Sequence, residues 1–358
     1  MRILQLIDTL DSGGAERMAV NYANALVSKI ELSALVVTRK EGSLMAQLND
    51  KVSYFFLHKK STLDFNAVLK LRQIIKQEKI DFIHAHGTSF FTAFLVKIIY
   101  PKIKLIFHEH YGNRAFQKSY KNFVLLFCAK FFHKIIVVNQ ELHIWFQNNG
   151  LRNSILIPNF VVQHSTEDIT FLKGLHNKRI IHIANFKEIK NHFFLLNIAK
   201  KIKDEFPNWT FHLVGKSFND NYYSSILSVI NDLKLTNTVF VYDSVNDIEH
   251  VLSQANIGVL TSKSEGLPLV LLEYGLASLP VVVTNVGDIG NIIVDGENGY
   301  IVNANSEIDF YDKLRKLMLD STMQNQFGEK LHYEIAENYT EKAVLDKYFE
   351  FLTNVFTS

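Results

Sequence analysis

Short runs dense in Val, Ile, Leu and Phe recur along this chain, each followed by a stretch of helical length, and no other pattern limits its folding choices as severely. In the first part they fall at 3–7, 32–37, 52–57, 80–84, 104–107 and 134–138. Their hydrophobicity is nearly continuous rather than alternating, as in parallel strands covered on both faces. After the first run, Ala15, Met18, Ala19, Tyr22, Ala23 and Leu26 follow the i, i+3, i+4, i+7 spacing of a helix with one apolar stripe. Strand, helix and parallel strand make the βαβ unit. The rhythm pauses in a polar stretch at 159–177 and restarts with runs at 179–184, 210–214, 238–241, 257–260, 280–283 and 300–302. The expected fold class is α/β, two doubly wound, Rossmann-like domains facing across a cleft, because such sheets bind ligands at the carboxyl ends of their strands. The expected boundaries are 1–160 for the first domain, 161–178 for a linker, 179–340 for the second domain, and 341–358 for a terminal helix packing back on the first.

The length of 358 residues suits two domains of about 150–200 residues better than one core. Cys128 is the only cysteine, which excludes an intramolecular disulfide and a cysteine-based zinc cluster and fits a reducing compartment. No uninterrupted apolar run approaches the ~18 residues of a membrane span, and the opening segment turns acidic at Asp8 too soon for a signal peptide. A cytoplasmic location is expected. The net charge of +2 conceals a split: residues 1–160 hold 21 Lys and Arg against 11 Asp and Glu, and the remainder 17 against 25. A basic first half suggests an anionic partner there, but the charges lack the dense clusters of a nucleic-acid reader. Within 114–134, lysines alternate with Phe116, Phe123, Phe127, Phe131 and Phe132. Such a segment could lie on a lipid surface, and core packing accounts for the aromatics equally well.

Two stretches follow strands and precede helices. Gly13-Gly14 can bring free amide N–H groups close to an anion at a helix start, although the spacing of a dinucleotide fingerprint is absent. The segment 261–273 contains Glu265 and Glu273 around Gly266, Leu267 and Pro268, with Pro268 placed in the first turn of the helix it opens. Two carboxylates could suggest a glycosidase. A helical separation of eight residues spans about 12 Å, whereas hydrolytic pairs sit about 5–9.5 Å apart, so two separate contacts along an extended ligand fit better.

The run from Glu265 to Glu273 resembles the E-x7-E element of family-4 retaining glycosyltransferases of the GT-B fold. Gly13-Gly14-Ala15-Glu16 is similar to their glycine loop, and 277–282 and 292–300 are similar to their later segments. The resemblance implies that Glu265 contacts hydroxyls of the donor sugar, Glu273 the ribose, and the amides of Gly266 and Leu267 the sugar and phosphates. It also implies a phosphate loop at 183–191 in which Lys190 neutralises the departing diphosphate. Asn185 stands where the family usually carries arginine, so that either Lys187 compensates or turnover is slower. In the first domain, His110 matches a histidine beside the reaction centre, with His86 a second acceptor-side candidate. Histidines near strand ends could hold a metal, but no convincing carboxylate partner accompanies them and the resemblance implies metal-independent transfer.

The expected activity is transfer of a hexose-type sugar from a nucleotide-diphosphate donor, a UDP-sugar first and a GDP-sugar second, to a hydroxyl of a growing, lipid-linked glycan. The catalytic set would be His110, Glu265 and Lys190, with no cofactor. The setting would be envelope polysaccharide assembly, capsule or lipopolysaccharide, at the cytoplasmic face of the inner membrane, without nucleic acid. The rival readings are a sugar-nucleotide epimerase of the same fold and a catalytically silent glycan- or membrane-binding protein.

Overall fold

The structure is a computed structural model that describes residues 1–112, 114, 117, 119–162 and 169–356, with only the backbone of 119–121 and 353–356. The chain divides into two compact units, residues 1–159 with 344–358, and residues 160–343.

Unit 1 is built on a sheet of β1 (Arg2–Thr9), β2 (Leu32–Lys40), β3 (Ser53–Phe56), β4 (Phe82–His86), β5 (Lys104–Glu109), β6 (Lys134–Val137) and β7 (Ser154–Leu156), in the spatial order β3-β2-β1-β4-β5-β6-β7. Every ladder is parallel. The helices are α1 (Gly14–Leu26), α2 (Phe65–Gln77), α3 (Phe90–Ile99), α4 (Ser119–Ala129) and α5 (Gln140–Asn148). Unit 2 repeats the plan with β8 (Arg179–Ile183), β9 (Thr210–Val214), β10 (Val239–Tyr242), β11 (Ile257–Leu260), β12 (Val281–Thr284) and β13 (Tyr300–Val302), ordered β10-β9-β8-β11-β12-β13. Its helices are α6 (His192–Glu205), α7 (Asn221–Asp232), α8 (Ile248–Ser253), α9 (Leu269–Leu276), α10 (Glu307–Leu319) and α11 (Ser321–Asn338). The last helix, α12 (Glu341–Phe356), contributes residues from Val344 onward to unit 1.

In each sheet the winding direction reverses once, between β1 and β4 in unit 1 and between β8 and β11 in unit 2. Connections leave such a pair of strands toward opposite sides, which opens a crevice at their carboxyl ends. The expected twelve strands are all present; the central ones, with Ile3, Leu4, Leu6, Ile180, Ile257 and Val282, are buried on both faces, whereas β3, β10 and β13 are mostly half-buried. Helix starts follow local chemistry: Asp64, Asn139, Asp220 and Asp320 each accept a hydrogen bond from a first-turn N–H of α2, α5, α7 and α11, worth about 1 kcal/mol apiece. One detail differs from expectation. Pro268 stands at the N-cap of α9, its ψ of 121° extended, and the first turn begins at Leu269. Residues 169–174 are tied to unit 2, with Ile169 N and Thr170 N donating to Asp247 Oδ2 at 2.9 and 2.6 Å and Lys173 O and Gly174 O accepting from the Arg179 guanidinium. Among the described residues no helix is long and apolar enough to cross a membrane.

Candidate functional site

In unit 2 two loops meet at the carboxyl ends of β8 and β11. The loop after β8 closes in a 3-10 turn, Glu188–Lys190, and Asn191 takes the left-handed conformation before α6. The loop after β11 is locked to it from below: Thr261 Oγ1 donates to Lys190 O at 3.0 Å, and Lys263 N donates to Ile189 O at 2.8 Å. Above these bonds the Lys190 ammonium meets Glu265 Oε1 at 2.5 Å, and Ser262 Oγ donates to the same oxygen at 2.6 Å. Both side chains stay within reach of solvent, Lys190 at 24% and Glu265 at 10% exposure. The structure thus joins Lys190 to Glu265 across 75 positions of sequence.

The turn carrying Gly266 and Leu267 is buried and held from behind. Asp288 N donates to Gly266 O at 3.0 Å, and Gly287 sits against the turn with φ of 58°. Glu273 lies half-buried on α9, whose other face is anchored by Tyr274: its hydroxyl accepts from Ile183 N at 3.0 Å and donates to Ile181 O at 3.2 Å. Burial pushes the Tyr274 phenol far above its ordinary range, so it stays a neutral strut.

Asn185 supplies no charge; its Oδ1 accepts from Lys216 N at 3.1 Å. The ammonium groups of Lys187 and Lys216 lie 5.0 and 5.7 Å from the centre of the Phe218 ring. Lys216, Phe218, Gly287 and Tyr274 were not anticipated from sequence. A lysine two positions beyond the β9 strand end was the available signal for Lys216.

In unit 1 Gly13 is the N-cap of α1, with an extended φ of −159°. A Cβ there would meet only the movable carboxylate of Glu16, which folds back over the helix start. Gly14 opens the first turn of α1. At the ends of β4 and β5, His86 Nδ1 and His110 Nε2 are 3.0 Å apart. Burial holds the His110 imidazole down at about 3, so it is neutral at pH 7. Beside it, Glu109 is fully buried and takes Arg114 Nε at 2.9 Å and Tyr111 N at 3.0 Å; loss of solvation pushes its carboxyl above the usual range despite the arginine. His84, His86 and His108 bring one nitrogen each within 4.8 Å of one another, close enough for a transition metal, but among the described residues that group includes no carboxylate or thiolate.

Comparison with known proteins places these features. The family model Glycosyltransferase Family 4 matches residues 12–163, and the model Glycosyl transferases group 1 matches residues 167–332. A glycosyltransferase of Haemophilus influenzae is 23% identical over 350 residues, 94% of this chain and 95% of that protein. The UDP-Gal:alpha-D-GlcNAc-diphosphoundecaprenol alpha-1,3-galactosyltransferase of Escherichia coli is 22% identical over 93% of this chain and 92% of its own length. The crystal structure of Anabaena HepE in complex with UDP and glucose superposes with a TM-score of 0.85 over 99% of this chain and 100% of that one, at 17% identity. The two matched halves, the two doubly wound sheets and the shared fold agree: the chain belongs to the family-4 glycosyltransferases of the GT-B fold.

Proposed function

We propose that this glycosyltransferase is a retaining, metal-independent enzyme that moves a hexose-type sugar from a nucleotide diphosphate, a UDP-sugar before a GDP-sugar, to a hydroxyl of a lipid-linked glycan in envelope polysaccharide assembly. The observation that carries the donor half is the Lys190–Glu265 pair at the mouth of unit 2. A diphosphate competes for the ammonium through several charged oxygens and displaces the carboxylate, which then accepts hydrogen bonds from sugar hydroxyls. One event thereby supplies a cation for the leaving group and an acceptor for the sugar. Glu273, one face of α9 further on, suits the ribose; Lys187 and Lys216 add positive charge beside Asn185. HepE, which binds UDP and glucose, and the Escherichia coli relative, which acts on a diphosphoundecaprenol acceptor, support the donor and acceptor classes.

Peripheral contact with the cytoplasmic face of the inner membrane belongs to the same reading. It is supported by Phe123, Phe127 and Phe131 with Ile98 and Ile99, all exposed around α3 and α4 beside Lys102 and Lys130. The test of the donor site is a thermal-shift series with UDP, GDP, ADP and their sugar conjugates, followed by transfer assays. The cognate donor at about 100 times its Kd should stabilise the chain by about 2.7 kcal/mol, and Lys190→Ala and Glu265→Ala should each abolish transfer while still folding. Full transfer by both variants would remove the site assignment.

A further inference from the structure

Gln5 on β1, His84 and His86 on β4, and His108 and His110 on and just beyond β5 share one face of the unit 1 sheet. In register Gln5 lies beside His84 and His86 beside His108. The side-chain hydrogen bonds run on the slant, two residues further along: His86 Nε2 to Gln5 Oε1 at 2.8 Å, His110 Nε2 to His86 Nδ1 at 3.0 Å, and between His84 Nε2 and His108 Nδ1 at 3.2 Å. Bonded rings are nearly parallel, 13° for His86 with His110 and 9° for His84 with His108. The two bonded pairs stack, His84 on His86 at 4.3 Å and His108 on His110 at 4.0 Å between centroids. Tyr22 of α1 and Tyr348 of α12 close the face, the Tyr22 ring 5.0 Å from both His84 and Tyr348. Gln5, His84, His86 and His108 have no solvent exposure.

A neutral imidazole has one N–H and one lone pair, so the bond made at one nitrogen decides what the other can do. A carboxamide oxygen only accepts. His86 therefore carries its proton on Nε2 and offers a lone pair at Nδ1, and His110 must donate to that lone pair from Nε2. What remains on His110 is a lone pair at Nδ1, and this buried nitrogen has no hydrogen-bond partner among the described residues. Gln5 Nε2 and His108 Nε2 are also buried without a partner among the described residues, but both belong to residues with no solvent exposure, so an arriving group can reach only His110. A hydroxyl arriving with a ligand fits the acceptor character of His110 Nδ1, and His110 is the partly exposed residue of the five.

We propose that Gln5 and His86 are positioning residues, which hold His110 in the Nε2–H tautomer so that Nδ1 is presented as an acceptor to a hydroxyl of the bound sugar substrate. The proposal rests on the glycosyl-transfer reading for the identity of the hydroxyl, and on the hydrogen-bond chain alone for the tautomer.

The full chain labelled with 15N-histidine, without substrate, answers the tautomer question by long-range 1H–15N correlation at pH 7.5, with His110 assigned through the signals lost in His110→Gln. His110 should be protonated at Nε2 and bare at Nδ1 in the wild type. In Gln5→Met, which fills the space without a hydrogen bond, the two tautomers of His86 and His110 should mix, with kcat down about 10- to 100-fold and the donor KM little changed. A wild-type His110 protonated at Nδ1, or a Gln5→Met spectrum with the wild-type pattern, would overturn the proposal. So would rings of His84, His86 and His108 each stripped of the proton at a nitrogen coordinated to metal in the purified protein. The spectrum needs no donor: if no nucleotide sugar is turned over yet His110 shows the expected pattern, the substrate reading fails and the positioning chain stands.

Discussion

Gly287 shows at the scale of one residue how the donor loop is held. Its φ is 58°, and a Cβ there would stand 2.4 Å from Glu265 O and 2.5 Å from Gly266 O. Gly287→Ala therefore meets both a disfavoured backbone region and a collision with the turn carrying Glu265. It should lose about 1–3 kcal/mol of stability in denaturant melts and raise the KM for donor; an unchanged KM would show that the turn tolerates displacement. Glu265 lends itself to a second single-residue experiment. With no carboxylate to compete for the ammonium, Glu265→Gln should bind UDP, which carries no hexose for Glu265 to recognise, more tightly than the wild type in titration calorimetry, while transferring more slowly. Weaker UDP binding would mean that the carboxylate helps hold the nucleotide rather than yielding to it. Glu265 and Glu273 were singled out in the sequence by their spacing and Lys190 by the resemblance at 183–191, and the structure joins Lys190 to Glu265. Gly287, Tyr274 and Lys216 were not legible there, since a positive φ, a hydrogen bond to the backbone of β8 and a contact across neighbouring strand ends depend on pairings that no local spacing records.

At the scale of elements, the strands announced themselves wherever both faces are buried, and β7 was overlooked because Ser154–Leu156 opens on a polar residue and leaves only Ile155 and Leu156 as its apolar run. The His-x-His pairs on β4 and β5 were visible as residues near strand ends, and the period of two already placed each pair on one side. What remained hidden was the closure of that side by Gln5, Tyr22 and Tyr348 from three other elements. For α4 the structure separates two readings that composition left open. Leu125, Cys128 and Ala129 face inward, whereas Phe123 at 70% exposure, Phe127 and Phe131 do not. Of the phenylalanines in 114–134 only Phe132 is buried among the described residues, and Phe116 lies outside them, so core packing accounts for one of the four described. Phe123→Ser combined with Phe127→Ser should leave the melting temperature within about 2 °C, since exposed positions contribute little to stability, and should sharply reduce flotation with vesicles rich in anionic lipid. Undiminished flotation would assign membrane contact elsewhere.

At the scale of the whole molecule, buried neutral histidines tie stability to pH. Burial holds His84, His86 and His108 well below the ordinary imidazole value, and in unit 2 it does the same to His182 and brings His212 to about 3. Each is neutral in the folded chain, while the unfolded chain takes up protons near pH 6.5, so the stabilisation is complete above that pH and is lost as the pH falls below it. Each such histidine removes about 1.4 kcal/mol per pH unit through this window, against a total of about 5–15 kcal/mol for an ordinary domain. Thermal melts should be level from pH 8 to pH 7 and fall steeply between pH 6.5 and pH 5; a level profile down to pH 5 would contradict neutral burial of the cluster. The position of Tyr348 adds an order of events. Its hydroxyl meets His84 across 264 positions, and residues 344–358 complete a unit that otherwise ends at Asn159. During synthesis the amino-terminal sheet therefore waits, with its imidazoles uncovered on one side, until the whole of the other unit has been translated: the part made first is finished last.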